Sequence, residues 1–434
     1  MHLTSKGRQV HGTVAPGFES VKALYARRVI TMAEENTQLC VYHQGEKVVD
    51  LWCAATDDGS FSADSLVNIF SSGKSLEAIA IAMLVDQGCL DYDTPIAEYW
   101  PEFAQHGKEG VTVADLMRHE SGLASFDTSL DPGDLTVGAL KENRVGQVIE
   151  GQKQKFPKGQ DGPREYHAVT RGWIANEVFR RAEPQGRTIG EFLRQEVCGP
   201  LEADVFIGVP ESELERIRPV KLLSWAFVLL QSLKHKALGR RIHHSFFSLF
   251  RRFLKVIPTY RNSTARNAPP PYLGMKGVDF FNERKVAMGE TPSAAANGTA
   301  RGLAKLGAVM SAKGKWTDRE YLSDRAWRAL HSHPVQSDMG FSQTNFTQGG
   351  INLFTAPAAG WTQLDDDLNS GREGFYGWMG LGGSIFQWDP EHEIGFSFVP
   401  TALHLLDLFN ERGKVYQTEV IRCVEQKANQ RNAS

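Results

Sequence analysis

The sequence predicts an α/β protein in which both ends of the chain build one lobe, a mainly antiparallel sheet flanked by helices, and a helical (all-α) lobe is inserted between them. Three observations predict this. Apolar runs with a period of two form a hairpin near each end, at residues 39–42 with 47–52 and at 384–388 with 395–399. The stretch from Ser71 to about Arg301 is mainly helical in pattern. At 434 residues, 41% of them hydrophobic, the chain can bury more than one lobe's core.

Residues 18–32 read as an amphipathic helix laid on the first hairpin, which turns at His43-Gln44-Gly45-Glu46. The helical block is interrupted by loops at Pro132-Gly133, Pro157-Lys158-Gly159 and Pro269-Pro270-Pro271. The last hairpin turns at Asp389-Pro390-Glu391-His392, and a helix follows from about 405 to 426. Residues 1–75 and 290–434 are thus expected to form the α/β lobe and 76–289 the helical lobe, with an active-site cleft where they meet.

Composition narrows the function classes. With a net charge of −3, nothing in the overall balance calls for a nucleic-acid partner. Cys40, Cys53, Cys89, Cys198 and Cys423 are odd in number and scattered without metal-ligand spacing, so no metal or other cofactor is expected and the thiols read as reduced. Residues 1–8 lack the apolar core of a signal peptide, and no apolar run approaches a membrane span. A cytoplasmic location is the expectation.

The chemistry is concentrated at Ser71-Ser72-Gly73-Lys74, between the apolar 67–70 segment and a helical run. Three residues apart at a helix start, Ser71 and Lys74 share one face. A serine needs a base to take its proton, and a lysine can serve if burial lowers its pKa. The helix N-terminus favours negative charge on the attacking oxygen. Taken alone, Ser-x-x-Lys also fits a capping serine followed by an exposed lysine. Tyr166, entering a helix at 169–178, is a proton-relay candidate, and His167 is a second candidate to face the substrate. Gly377-Trp378-Met379-Gly380-Leu381-Gly382-Gly383 leads into the last hairpin. Its glycines allow close backbone approach, so Trp378, Met379 and Gly380 are expected to contact substrate, and the N–H groups of Ser71 and Leu381 to form an oxyanion hole.

In order and context these segments resemble the serine hydrolases of the class C β-lactamase and penicillin-binding-protein superfamily, particularly the family VIII carboxylesterases. The resemblance is carried by Ser71-x-x-Lys74, by Tyr166, by His119-Glu120-Ser121-Gly122-Leu123, and by Gly199-Pro200-Leu201 and Asp389-Pro390-Glu391. It implies a β-lactamase/transpeptidase-like fold, with Ser71 as nucleophile, Lys74 as general base and Tyr166 as proton relay or base. It also marks departures. Ala168 stands where lactamases of this type carry an asparagine, and Trp378-Met379-Gly380 stands where they carry Lys-Thr-Gly. Without that lysine the cation for a substrate carboxylate is missing, which points to hydrolysis of small neutral short-chain esters. Acyl transfer, or β-lactam and D-amino-acid amide hydrolysis, are the alternatives, with a non-catalytic scaffold less favoured. There is no Gly-x-Ser-x-Gly elbow in the chain.

One region is not explained by the resemblance. Residues 216–278 contain no Asp or Glu, while a basic, apolar insertion at about 216–265 carries Ile242, Phe246, Leu249, Phe250, Phe253 and Ile257 at helical spacing. It is expected to be a lid packed on the helical lobe, or, through residues 218–262, a peripheral membrane contact. Oligomeric state is not legible.

Overall fold

The computed structural model describes residues 8–156 and 164–433, so the loop expected at Pro157-Lys158-Gly159 lies outside the described residues. Nine strands form one antiparallel sheet in the order Val10–Val14, Glu46–Cys53, Thr37–His43, Ile394–Pro400, Ile385–Asp389, Tyr376–Met379, Asn352–Leu353, Gln343–Phe346 and Val335–Asp338. Both predicted hairpins are present. They are joined edge to edge by Thr37–His43 pairing with Ile394–Pro400, with Leu39 opposite Phe398 and Val41 opposite Phe396.

Strand alternation explains how the sheet is covered on both faces. Leu39, Val41, Phe396 and Phe398 point into a core shared with Val21, Tyr25 and Val29 of the Glu19–Thr31 helix and with Tyr416 and Val420 of the Glu411–Ala433 helix. Cys40, Phe386 and Trp388 point the other way, against Leu303 and the rest of the Ala300–Ser311 helix. That second core continues into the helical part of the molecule. At its centre lies the Gly73–Asp86 helix, buried on every face from Gly73 to Val85.

The structure departs from the sequence reading in three places. The last helix begins at Glu411, because Asp407 accepts from the Glu411 N–H at 2.8 Å and the Arg412 N–H at 3.3 Å and so caps it, and it runs to Ala433. The stretch read as mainly helical contains the strands Val205–Phe206 and Ile217–Arg218. With Asn297–Gly298 and Leu66–Asn68 they make a small sheet whose Leu66–Asn68 strand leads the chain towards Ser71. The basic insertion is seated chiefly on the terminal segments. Leu223, Ile242 and Leu249 pack on Ala33 and Ala402, and Lys221–Leu222 pairs with Ala402–Leu403.

Candidate active site

Ser71 follows the Leu66–Asn68 strand in a single 3-10 turn, Phe70–Ser72, which runs straight into the Gly73–Asp86 helix. Phe70 holds a left-handed φ of +47°, fixed by a 2.7 Å bond from its N–H to the Asn68 side chain and by its ring packing on Phe281. A bulky residue in that conformation is strained, and here the strain aims the next residue, Ser71, out of the turn. Gly380 lets the Tyr376–Met379 strand lie against this turn, since a Cβ there would stand 2.2 Å from the Ile69 carbonyl.

Lys74 is fully buried one turn below Ser71. Its Nζ lies 3.4 Å from Ser71 Oγ and donates to the carbonyls of Ala168 at 2.7 Å and Ser293 at 3.1 Å. Burial, and then the charge of Arg171, hold its pKa well below the usual lysine value, while Glu77 opposes them. Gly172 makes the Ser293 contact possible, because a Cβ there would meet the Ser293 N at 2.6 Å.

The centre of the Tyr166 ring lies 4.8 Å from Lys74 Nζ, and its hydroxyl receives the Trp378 indole N–H at 2.9 Å. Burial raises the Tyr166 pKa to about 12. The structure therefore brings Ser71, Lys74, Tyr166 and Trp378 together.

Three expected site residues are placed differently. His167 is fully buried. Its Nε2 takes the Leu123 N–H at 3.2 Å and pairs with Ser121 Oγ at 2.7 Å, and its Nδ1 bonds the Glu165 carbonyl. Both nitrogens are spent and burial drives its pKa to about 3, so His167 clamps the His119–Leu123 turn and does not face a substrate. Met379 alternates to the far side of the strand, its sulfur 3.8 Å from an Arg372 nitrogen. Trp378 stands behind Tyr166 as its anchor. The 620 Å³ cavity that opens at Tyr166 and Ala168 is bordered by none of Ser71, Trp378, Met379 and Gly380.

Behind Lys74 lies a network that sequence reasoning missed. Arg171 and Glu77, both inaccessible to solvent, pair at 2.6 Å. Glu77 also accepts from Ser293 Oγ at 2.8 Å, and Arg171 donates to the carbonyls of Lys74, Met117 and Gly350. Glu77 carried a signal: it sits three residues after Lys74 on an otherwise apolar helix. Ser293 carried none.

Among the described residues, one cluster has metal-ligand geometry, His244, Asp407 and Glu411, with ligand atoms within 4.8 Å of one another. The guanidinium of Arg252 already pairs with Glu411, and that of Arg412 lies 3.7 Å from Asp407, so each carboxylate of the cluster already faces a cation. None of the three borders the cavity at Tyr166.

The beta-lactamase family pattern matches residues 23–416, nearly the whole chain. The chain belongs to the beta-lactamase family of serine hydrolases. Among curated proteins it is 28% identical over 404 residues to the esterase/beta-lactamase LipL of Mycobacterium tuberculosis, covering 92% of this chain and 84% of that one. Two solved structures share its fold at 24% identity. A family VIII carboxylesterase superposes with a TM-score of 0.74 and a penicillin-binding protein homolog from Caulobacter crescentus with 0.71, each over 96% of this chain and all of the other. This beta-lactamase-family chain therefore has the β-lactamase/transpeptidase-like fold, with its large antiparallel sheet and helical complement.

Proposed function

We propose that the protein is a carboxylesterase that cleaves neutral esters through an acyl-enzyme on Ser71. The observation that carries this reading is the charge of the cavity. Its one lining guanidinium, Arg164, is already bonded to Glu120 and to Thr344, and Ala168 presents a methyl group where an amide would meet a lactam. No free cation among the described lining residues is left to hold a substrate carboxylate, which favours an uncharged ester over a β-lactam or peptide acid. The similarity to an esterase/beta-lactamase and to a family VIII carboxylesterase supports the same choice.

The protonation states assign the roles. Lys74 is pushed down and Tyr166 up, which favours the neutral form of both the amine and the phenol. Two N–H bonds of the amine are committed to Ala168 and Ser293, which leaves its lone pair for the Ser71 proton. As Ser71 Oγ attacks the ester carbonyl, Lys74 takes that proton, Tyr166 gives its own to the leaving alkoxide, and the proton on Lys74 then passes to the Tyr166 phenolate, which restores the neutral pair. The N–H groups of Ser71 and Leu381, engaged by no carbonyl among the described residues, stabilise the oxyanion. Water then repeats the sequence on the acyl-enzyme and releases the acid. Replacing Ser71 by Ala is expected to abolish hydrolysis of p-nitrophenyl acetate and butyrate with an unchanged melting temperature. Wild-type turnover in that variant would refute the reading.

A further inference from the structure

The exposed apolar surface of this protein is concentrated on the basic insertion. Trp225 and Leu230 on the Trp225–Ser232 helix, and Phe247, Phe250, Phe253 and Leu254 on the Phe246–Asn262 helix, are each between 51% and 77% exposed. The spacing of Phe247, Phe250, Phe253 and Leu254 places them along one stripe of the second helix. Each helix is anchored by a narrow inward face, Phe227 and Val228 on the first and Leu249 on the second, and polar side chains share that face. Gln231 and Ser232 are buried on the first, and on the second Arg252 is buried against Asp367 and Glu411. Inward pairing of Arg252 fixes the rotation of its helix, so the phenylalanines cannot turn into the core.

Charge selects the occupant. Residues 216–278 carry thirteen Lys and Arg and no acid. Of these, Lys234, Lys236, Arg251 and Lys255 are exposed and close in sequence to the apolar side chains. No helix among the described residues is long and apolar enough to cross a membrane, which leaves a helix lying in the interface. The Phe246–Asn262 helix is about 25 Å long at 1.5 Å per residue, and its last turn, at Pro258, Thr259 and Asn262, lines the same cavity that Tyr166 borders.

We infer that residues 225–262 form a docking face for an anionic phospholipid bilayer, and that docking sets the mouth of the Tyr166 cavity at the lipid surface. The exposed apolar side chains enter the boundary between headgroups and acyl chains while the lysines and arginines meet the phosphates. Resting on the esterase reading, this names the substrate class: acyl esters dissolved in, or drawn from, a membrane.

Flotation of the full chain with vesicles tests it. Wild type is expected to float with phosphatidylcholine vesicles containing phosphatidylglycerol, and to lose roughly tenfold or more of that binding in high salt or on pure phosphatidylcholine. The triple substitution Phe247→Glu, Phe250→Glu and Leu254→Glu should abolish flotation while turnover of soluble p-nitrophenyl butyrate and the melting temperature stay as in wild type. Because flotation needs no turnover, Ser71→Ala is expected to float normally, which separates failure of docking from failure of the esterase reading. Wild type remaining unbound, or the triple variant floating unchanged, overturns the inference. So does a wild-type dimer that the same substitutions dissociate, which would make the face a contact between copies of this chain.

Discussion

Lys74 Nζ stands 3.4 Å from Ser71 Oγ while both of its committed hydrogen bonds go to main-chain carbonyls, those of Ala168 and Ser293. An ammonium in that position would be buried with no carboxylate in contact, since Glu77 is occupied by Arg171 and Ser293. Desolvation therefore decides its protonation state.

The first prediction is a pH profile. Only neutral Lys74 can accept the serine proton, so kcat/KM should rise with pH through the lowered Lys74 pKa and level off well below 10.5, the ordinary lysine value. Lys74→Arg cannot deprotonate and should lose roughly a thousandfold or more across the whole range. Initial rates on a soluble ester across the pH range check both.

Tyr166 and Trp378 make a graded pair. Tyr166→Phe removes the hydroxyl proposed to pass the proton, and kcat should fall by about 10²–10⁴ with little change in melting temperature. Trp378→Phe leaves that hydroxyl in place and removes its 2.9 Å partner, a loss of about 1 kcal/mol in positioning, so the expected fall is about tenfold or less. Equal losses from the two would contradict the assignment of Trp378 as an anchor.

Glu77 acts at one remove. Glu77→Gln leaves the Arg171 guanidinium buried without its carboxylate, which should cost about 3–5 kcal/mol by chemical denaturation. Glu77 also raises the Lys74 pKa against burial and Arg171. The same variant should thus move the acidic limb of the kcat/KM profile to lower pH, a shift that a merely weakened core would not produce.

A separate buried carboxyl predicts a pH-dependent stability. Glu290 receives Thr188 Oγ1, the Asn176 amide and the Gly190 N–H, yet complete burial raises its pKa to about 7 from 4.5. The folded state then holds a proton that the unfolded state has lost. Stability from this group is full below the unfolded value and falls between pH 4.5 and 7, by up to about 3 kcal/mol. Glu290→Gln keeps an oxygen for Asn176 and Gly190 and offers N–H to the Thr188 hydroxyl, so it should flatten that decline. Urea denaturation at pH 5 and pH 8 measures it.

What the sequence made legible was local or periodic. The two hairpins announce themselves by alternation and by their turns, and Ser71-x-x-Lys74 by its place before an apolar helical run. Features set by individual side-chain contacts were not legible. The start of the last helix depends on a cap by Asp407, which lies in a loop that the helical periodicity runs through. His167 stands beside Tyr166 in sequence, but Ser121 and Leu123, more than forty residues away, use up its ring. Trp378 was identified as part of the site, yet its role as the partner of Tyr166 needed the sheet to bring residues 212 positions apart together. The outward-facing phenylalanines show the same limit: periodicity reveals an apolar stripe without saying which way it faces, and the ion pairs of Arg252 decide that.

In the proposed esterase, Ser71 is the residue acylated. Intact-protein mass and peptide mapping after reaction with a fluorophosphonate test it most directly. A single adduct is expected on the peptide containing Ser71, absent in Ser71→Ala and strongly slowed in Lys74→Arg. An adduct on any other residue, or labelling that persists in Ser71→Ala, would contradict it.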